Sequence, residues 1–225
     1  MRVGQLLEPF GVNLTPCQVS QILAYLDLLL HWNQKINLTA IRDPEECMVR
    51  HFGESLFLAG HEELGGSLID IGSGAGFPGL ALKIPFPELA VTLLEPVAKK
   101  RAFLKEAARV CGFNRVTVRP ERLDEFVRTA PPTSFNSATS RAVGKLERLV
   151  PQATQCLDPG GSIFLWLTRV QGAEVASLEG DVAWEEPLPI PLSRSGVILP
   201  GKRRVDASPS SPAGSQASDR RRQWS

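Results

Sequence analysis

Apolar residues recur at helical spacing through residues 1–62, and short apolar runs punctuated by glycine follow. Val19, Ile22, Leu23, Leu26, Leu29 and Leu30 fall on one helical stripe. Thr15 is placed to cap that helix, and Pro16 takes its first position, where a missing N–H costs nothing. A second helix is predicted from Asp43, with Pro44 at its first position and Glu46 set for a capping box. It should run through Met48, Phe52, Leu56 and Phe57 towards His61.

The pattern changes at Gly65-Gly66. Residues 67–71 form a short apolar run ending in glycines, as a buried parallel strand requires. Further strands are predicted at 90–94, 116–118, 135–140 and 162–167. Helices are predicted at 97–111 and at 145–157, the second stopped by Pro159-Gly160-Gly161, and a helix should also open at Phe77. Alternating strands and helices imply an α/β fold, a doubly wound Rossmann-like sheet that binds ligands at the carboxyl ends of its strands. Residues 181–201 hold strand-like pieces broken by prolines. The organisation expected is a helical segment at 1–62, an α/β domain at 63–205 and a disordered tail at 206–225. That tail, rich in Ser, Pro, Gly, Ala and Arg, has little to bury.

A chain of 225 residues can bury one core plus an extension. A formal net charge of +1 adds nothing in favour of a nucleic-acid partner. Cys17, Cys47, Cys111 and Cys156 lack metal-ligand spacing and read as four reduced core thiols, so no metal is expected. Glu8 and Pro9 interrupt any apolar signal at the N-terminus, and no apolar run approaches the roughly 20 residues of a membrane span. A soluble, cytoplasmic protein without membrane contact is expected.

Chemistry concentrates in Asp70-Ile71-Gly72-Ser73-Gly74-Ala75-Gly76-Phe77-Pro78-Gly79, directly after a predicted strand. Glycines let the backbone turn sharply and let a ligand lie against it. Read from Gly74, the stretch also satisfies the dinucleotide fingerprint at 74, 76 and 79. Two details favour the register starting at Gly72. A fingerprint should open where the strand ends, and Pro78 removes an N–H that a pyrophosphate would need. A methyl donor such as S-adenosyl-L-methionine carries no phosphate, and Asp70 suits its ammonium and sulfonium centres. A ligand-free glycine turn is the bland alternative.

Glu95 ends the next predicted strand, where an acid can accept from both hydroxyls of a ribose. It can equally be an exposed helix-start acid. Leu123-Asp124 falls where an adenine would sit, although a lone Asp there can be simple turn chemistry. Residues 99–122 hold eight Lys or Arg (99, 100, 101, 105, 109, 115, 119, 122), which suit either phosphates or a solvated helix face.

Trp32-Asn33, Asn37-Leu38-Thr39, Arg42-Asp43-Pro44 and Arg50-His51, with the glycine stretch 70–79, resemble the small-subunit ribosomal RNA guanine-N7 methyltransferase family, also called glucose-inhibited division protein B. Leu93-Leu94-Glu95-Pro96, Lys99-Lys100, Phe103-Leu104 and Ser140-Arg141-Ala142 are similar to it too, so the likeness covers residues 25–166. It implies a class I methyltransferase fold with S-adenosyl-L-methionine as cofactor. The acceptor implied is a guanine of small-subunit ribosomal RNA, free or in the assembled subunit, with a monomer acting on it. By this resemblance donor contacts fall on Gly72, Phe77, Glu95, Pro96, Val97, Leu123, Asp124 and Arg141, beside Gly74 and Gly76 of the loop. At Arg169 and Gln171 the chain departs from an expected Lys-Gly pair.

The residues agree with an N7 acceptor, whose in-plane lone pair needs no general base. Neither an Asn-Pro-Pro-Tyr motif nor a cysteine after proline follows the fourth strand, leaving amine and pyrimidine-C5 chemistry without their groups. Catalysis would be positioning, with Arg141 organising the pocket. His51 ranks behind it, because a lone histidine in an apolar helix is more often a satisfied core residue. Competing readings are a class I enzyme acting on a protein or small molecule, an NAD-linked dehydrogenase, and an inactive donor-binding module.

Overall fold

Strand β1 (Ser67–Ile71) sits where the strand order of the sheet reverses, and the rest of the molecule is arranged about it. The computed structural model describes residues 2–129, 135–141 and 144–205; the tail expected at 206–225 lies outside them.

Ahead of the sheet come α1 (Val3–Leu7), a 3-10 turn (Glu8–Phe10) and α2 (Pro16–Asn33). Thr15 and Gln18 cap α2 reciprocally, the Gln18 N–H donating to Thr15 Oγ1 and the Thr15 N–H to Gln18 Oε1. The single helix expected from Asp43 is instead four short pieces. Helix α3 (Pro44–Cys47) widens into a π-helical turn (Met48–Gly53), tightens into α4 (Glu54–Leu56) and ends in a 3-10 turn (Phe57–Gly60). Asp43 caps α3 by accepting from the Glu46 N–H at 2.8 Å; the expected return bond from Glu46 is absent among the described residues. The Phe10 ring packs where a Gly53 Cβ would stand, 2.3 Å from it, so an aromatic side chain wedges against this irregular stretch.

The remaining elements are β2 (Ala90–Leu94), α5 (Ala98–Val110), β3 (Val116–Arg119), α6 (Leu123–Thr129), β4 (Phe135–Arg141), α7 (Leu146–Gln155), β5 (Leu157–Thr168), α8 (Arg169–Ala176), β6 (Val182–Trp184), β7 (Leu188–Pro189) and β8 (Gly196–Arg203). The order is β3-β2-β1-β4-β5-β8-β6, with β7 also on β8; β1 to β5 run parallel, and β8 joins β5 antiparallel.

Side chains alternate between two cores, as strand geometry demands. Leu68, Val91, Leu93, Phe164 and Trp166 face the N-terminal helices and α5, whereas Ile69, Ile71, Leu94, Ala138 and Leu165 face α6, α7 and α8. The polar composition of β4 has a structural use. Thr139 Oγ1 donates to Asp70 Oδ1 at 2.8 Å, Ser140 Oγ to the Ile71 carbonyl at 3.1 Å, and Asn136 Oδ1 accepts from the Ser67 N–H at 2.8 Å. These bonds fasten β4 to β1 at the reversal point.

Three expectations are corrected. No α-helix opens at Phe77: residues 74–80 form irregular turns, then a 3-10 turn (Ala81–Lys83), because Pro78 lacks an N–H and Gly79 is pressed against Asp70. Pro159-Gly160-Gly161 lies inside β5, in a bulge that absorbs the register shift opposite Phe135 and Ser137. Cys17 is exposed in the first turn of α2, while Cys47, Cys111 and Cys156 are buried free thiols.

Candidate active site

The loop after β1 adopts left-handed backbone at Gly72 (φ 74°), Gly74 (φ 56°) and Gly76 (φ 86°). The N–H groups of Gly72 and Ser73 both reach the Leu94 carbonyl, at 3.0 and 3.1 Å. The glycines serve different ends. A Cβ on Gly76 would fall 2.0 Å from the Tyr25 hydroxyl, which donates to the Ala75 carbonyl at 2.7 Å, so Gly76 is a packing glycine. A Cβ on Gly74 would meet only the Gly72 carbonyl, at 3.9 Å, and would otherwise enter open space where a ligand can lie.

Glu95 is buried, not an exposed helix-start acid. Its Oε2 accepts from the Gly74 N–H at 3.0 Å and its Oε1 from the Val97 N–H at 2.8 Å, clamping the loop to the end of β2. Each oxygen keeps a second lone pair. Beside this clamp, a cleft of about 440 Å³ opens over the ends of β1 and β2, and Gly72, Pro96, Leu123 and Asp124 all line it. Lys145 and Arg148 line it too. Sequence reading missed these two: Lys145 precedes α7 in a left-handed conformation, and Arg148 follows in the first turn.

Two features beside the cleft, at residues outside its lining, suit S-adenosyl-L-methionine. Open space lies over Gly74, and Asp70, buried at the reversal point, leaves Oδ2 without a hydrogen-bond partner among the described residues. Burial pushes the Asp70 carboxyl up to about 6, against the pull of the Thr139 and Ser73 hydroxyls, of Arg141 and of the nearby Gly79 backbone. The charge of a carboxylate buried beneath the loop favours a cationic ligand above it.

Other predicted residues lie outside the lining of this cleft. The Phe77 ring is buried beneath the loop, stacked on Tyr25 (centroids 5.3 Å) and His51 (4.9 Å), so only its backbone can meet a donor. Val97 is 47 % exposed and faces a separate cleft with Lys99 and Lys100.

Arg141 ends β4 one strand further on. It donates to the Arg50 carbonyl and to His51 Nδ1, both at 3.0 Å, stands 3.8 Å from Glu54 Oε2, and lies 5.5 Å from the centre of the Phe77 ring. Because a guanidinium only donates, His51 Nδ1 must accept, and the proton sits on Nε2, 2.8 Å from Thr39 Oγ1. Burial and the adjacent Arg141 and Arg50 charges pull the His51 pKa down to about 3. His51 is therefore neutral with both nitrogens engaged, as the core-residue reading expects. Burial also lowers the Arg141 pKa from its ordinary value, opposed chiefly by Glu54.

The profile of the GidB family, described as rRNA small subunit methyltransferase G, matches residues 18–190. The ribosomal RNA small subunit methyltransferase G of Chloroflexus aggregans is 39 % identical over 201 residues, 84 % of each chain. That of Alkalilimnicola ehrlichii is 37 % identical over 172 residues, 76 % of each chain. A ribosomal protein methylase structure from Lactobacillus delbrueckii subsp. bulgaricus covers 69 % of this chain and 80 % of its own, with a TM-score of 0.57 and 13 % identity, a likeness of fold alone.

Proposed function

Since the chain belongs to the rRNA small subunit methyltransferase G family, we propose that it transfers a methyl group from S-adenosyl-L-methionine to N7 of a guanine in small-subunit ribosomal RNA. The observation that carries this reading is the convergence of Gly72, Pro96, Leu123 and Asp124 on one cleft at the strand-order reversal, with Arg141 one strand away.

S-adenosyl-L-methionine would supply an electrophilic methyl group. Gly72 and Gly74 would let it lie against the backbone, with Glu95 accepting hydrogen bonds from it and the buried Asp70 charge beneath the loop. Leu123 and Asp124 would flank the adenine end. Guanine N7 is a nucleophile without proton removal, so the protein's work is orientation and exclusion of water. His51 fits that economy, since neither ring nitrogen is left to take a proton.

A second cleft, of about 360 Å³, gathers Lys35, Arg42, Lys99 and Lys100 from the helical segment and α5. We read it as a track for RNA phosphates. Arg101, Arg115 and Arg119 are spent locally, on the Pro96 carbonyl, the Glu88 carbonyl and Glu121 respectively. No helix among the described residues is long and apolar enough to cross a membrane. The finer reading is a cytoplasmic monomer acting on the RNA or on the assembled subunit.

The test is nucleoside mass spectrometry of small-subunit RNA from cells with and without the gene, joined to transfer of labelled methyl by purified protein. Loss of one 7-methylguanosine on deletion, restored by the protein, is the expected result. Unchanged RNA, with label appearing in a protein or small molecule, would replace the acceptor.

A further inference from the structure

On the β5 side of Arg141 lies a cleft of about 410 Å³ whose walls include Arg50, His51, Glu54, Arg141, Trp166 and Gln171. It joins the strand end where the methyl donor would finish to the helical segment that precedes the sheet. Its volume falls in the range of small-ligand sites, roughly 300–1,000 Å³. The π-helical turn Met48–Gly53 supplies Arg50 and His51 and leads directly into Glu54. Such turns are rare and are frequent at functional sites. Trp166 holds this wall to the sheet, its indole N–H donating to the Glu54 carbonyl at 2.8 Å.

We infer that this cleft receives the acceptor guanine and that the Glu54 carboxylate reads its Watson–Crick edge. The inference rests on the guanine-N7 reading above. Glu54 is 8 % exposed and, among the described residues, hydrogen-bonded on one oxygen only: Arg50 Nε donates to Oε1 at 2.6 Å, which leaves that oxygen a second lone pair. Its Oε2 faces Arg141 at 3.8 Å, beyond hydrogen-bond reach, and keeps its lone pairs. Among bases, guanine alone presents two adjacent donors, N1–H and the exocyclic amine, to match a carboxylate. Adenine offers one donor beside an acceptor there, and a base taken out of its stack is read on that edge. N7 lies on the opposite side of the purine from these donors, so a base gripped by Glu54 leaves N7 free for the methyl. A bare phosphate suits the cleft poorly, because a carboxylate stands in its wall. The competing role for Glu54 is purely structural, an ion pair that steadies Arg141.

Inosine separates the two roles, since it lacks only the amine of guanine. Small-subunit RNA carrying guanosine or inosine at the methylated position is assayed with wild-type protein and with Glu54→Gln, and donor binding is followed by calorimetry. Wild type should prefer guanosine by at least about tenfold in kcat/KM, the usual effect of an unpaired polar partner in a site. Glu54→Gln should be slower on both RNAs, with the preference reduced to within about threefold and donor affinity unchanged. A full guanosine preference in Glu54→Gln would make Glu54 a steadying residue and overturn the inference. Equal wild-type rates on both RNAs would overturn it as well, even if the variant does not fold. If wild type methylates no guanine in small-subunit RNA, the underlying reading fails instead.

Discussion

Asp70 and His51 are both buried, and both feel the charge of Arg141, yet their titrations pull in opposite directions. The Asp70 carboxyl stands near 6 in the fold against 3.8 ordinarily. Its contribution to stability is complete below pH 3.8 and is lost as pH rises through 6. For His51, near 3 in the fold against 6.5, the contribution is complete above pH 6.5 and drains away towards pH 3. In the shared window each proton is worth about 1.4 kcal/mol per pH unit, with opposite signs, so the two slopes offset. Removing either should expose the other. Relative to wild type, His51→Gln should gain stability when pH falls from 6.5 to 4.5, and Asp70→Asn should lose it, both read from urea midpoints. Parallel behaviour of all three proteins would remove this coupling. Arg141 is tested by charge-preserving replacement. A lysine cannot serve the Arg50 carbonyl and His51 Nδ1 from one planar group while covering the Phe77 ring. Arg141→Lys should lose at least about tenfold in methyl transfer, roughly 1.4 kcal/mol of barrier. A variant with wild-type turnover would take Arg141 out of the site.

Among the elements, the glycine loop divides donor binding from packing. Gly74→Ala places its methyl in open space beside the loop, at a left-handed residue where a side chain costs roughly 1–2 kcal/mol. It should melt slightly lower and bind donor much more weakly. Gly76→Ala meets the Tyr25 hydroxyl at 2.0 Å and should lose several degrees of melting temperature first. Paired melting curves and donor calorimetry check this, and a reversed order would reassign both glycines. Elements with local causes were legible in the sequence: the Thr15 cap of α2, and β1 and β2, whose apolar runs end at glycine or at Glu95. Elements decided by distant contacts were not. Phe10 wedges against Gly53, the β5 bulge answers the register of β4, and the turns at 74–80 follow from Gly79 lying on Asp70. Gln171, a departure from the resembled pattern, forms a capping box with Thr168 at α8. The site divides in the same way. Gly72, Pro96, Leu123 and Asp124 were readable because strand ends set their place. Glu54 and Trp166 meet Arg141 only through the three-dimensional fold.

At the scale of the whole molecule, the helical segment and the α/β domain share one core. Ile22, Tyr25, Leu26, Leu29, Met48 and Phe52 are buried in the same cluster as Phe77, Leu80, Leu93 and Phe103. Polar contacts cross the same boundary: Gln18 Nε2 donates to the Ile84 carbonyl, Gln21 Nε2 to the Cys111 carbonyl and Trp32 Nε1 to Glu106, at 2.9, 3.0 and 3.1 Å. Burying one large apolar side chain is worth about 1.5–3 kcal/mol, and a domain's net stability is only about 5–15 kcal/mol. Losing these helices should therefore cost more than the remaining fold can spare. It would also remove the Tyr25 hydroxyl from the Ala75 carbonyl and the whole Arg50–Glu54 wall of the Arg141 cleft. A chain starting at residue 63 should show no cooperative melting transition, should bind a dye for exposed apolar surface, and should not bind donor. Tyr25→Phe in the full chain is the milder form: it keeps the packing, drops one buried hydrogen bond worth about 1 kcal/mol, and should weaken donor binding through the loop. A cooperative melt with donor binding in the shortened chain would mean that the α/β domain holds its glycine loop without the helices.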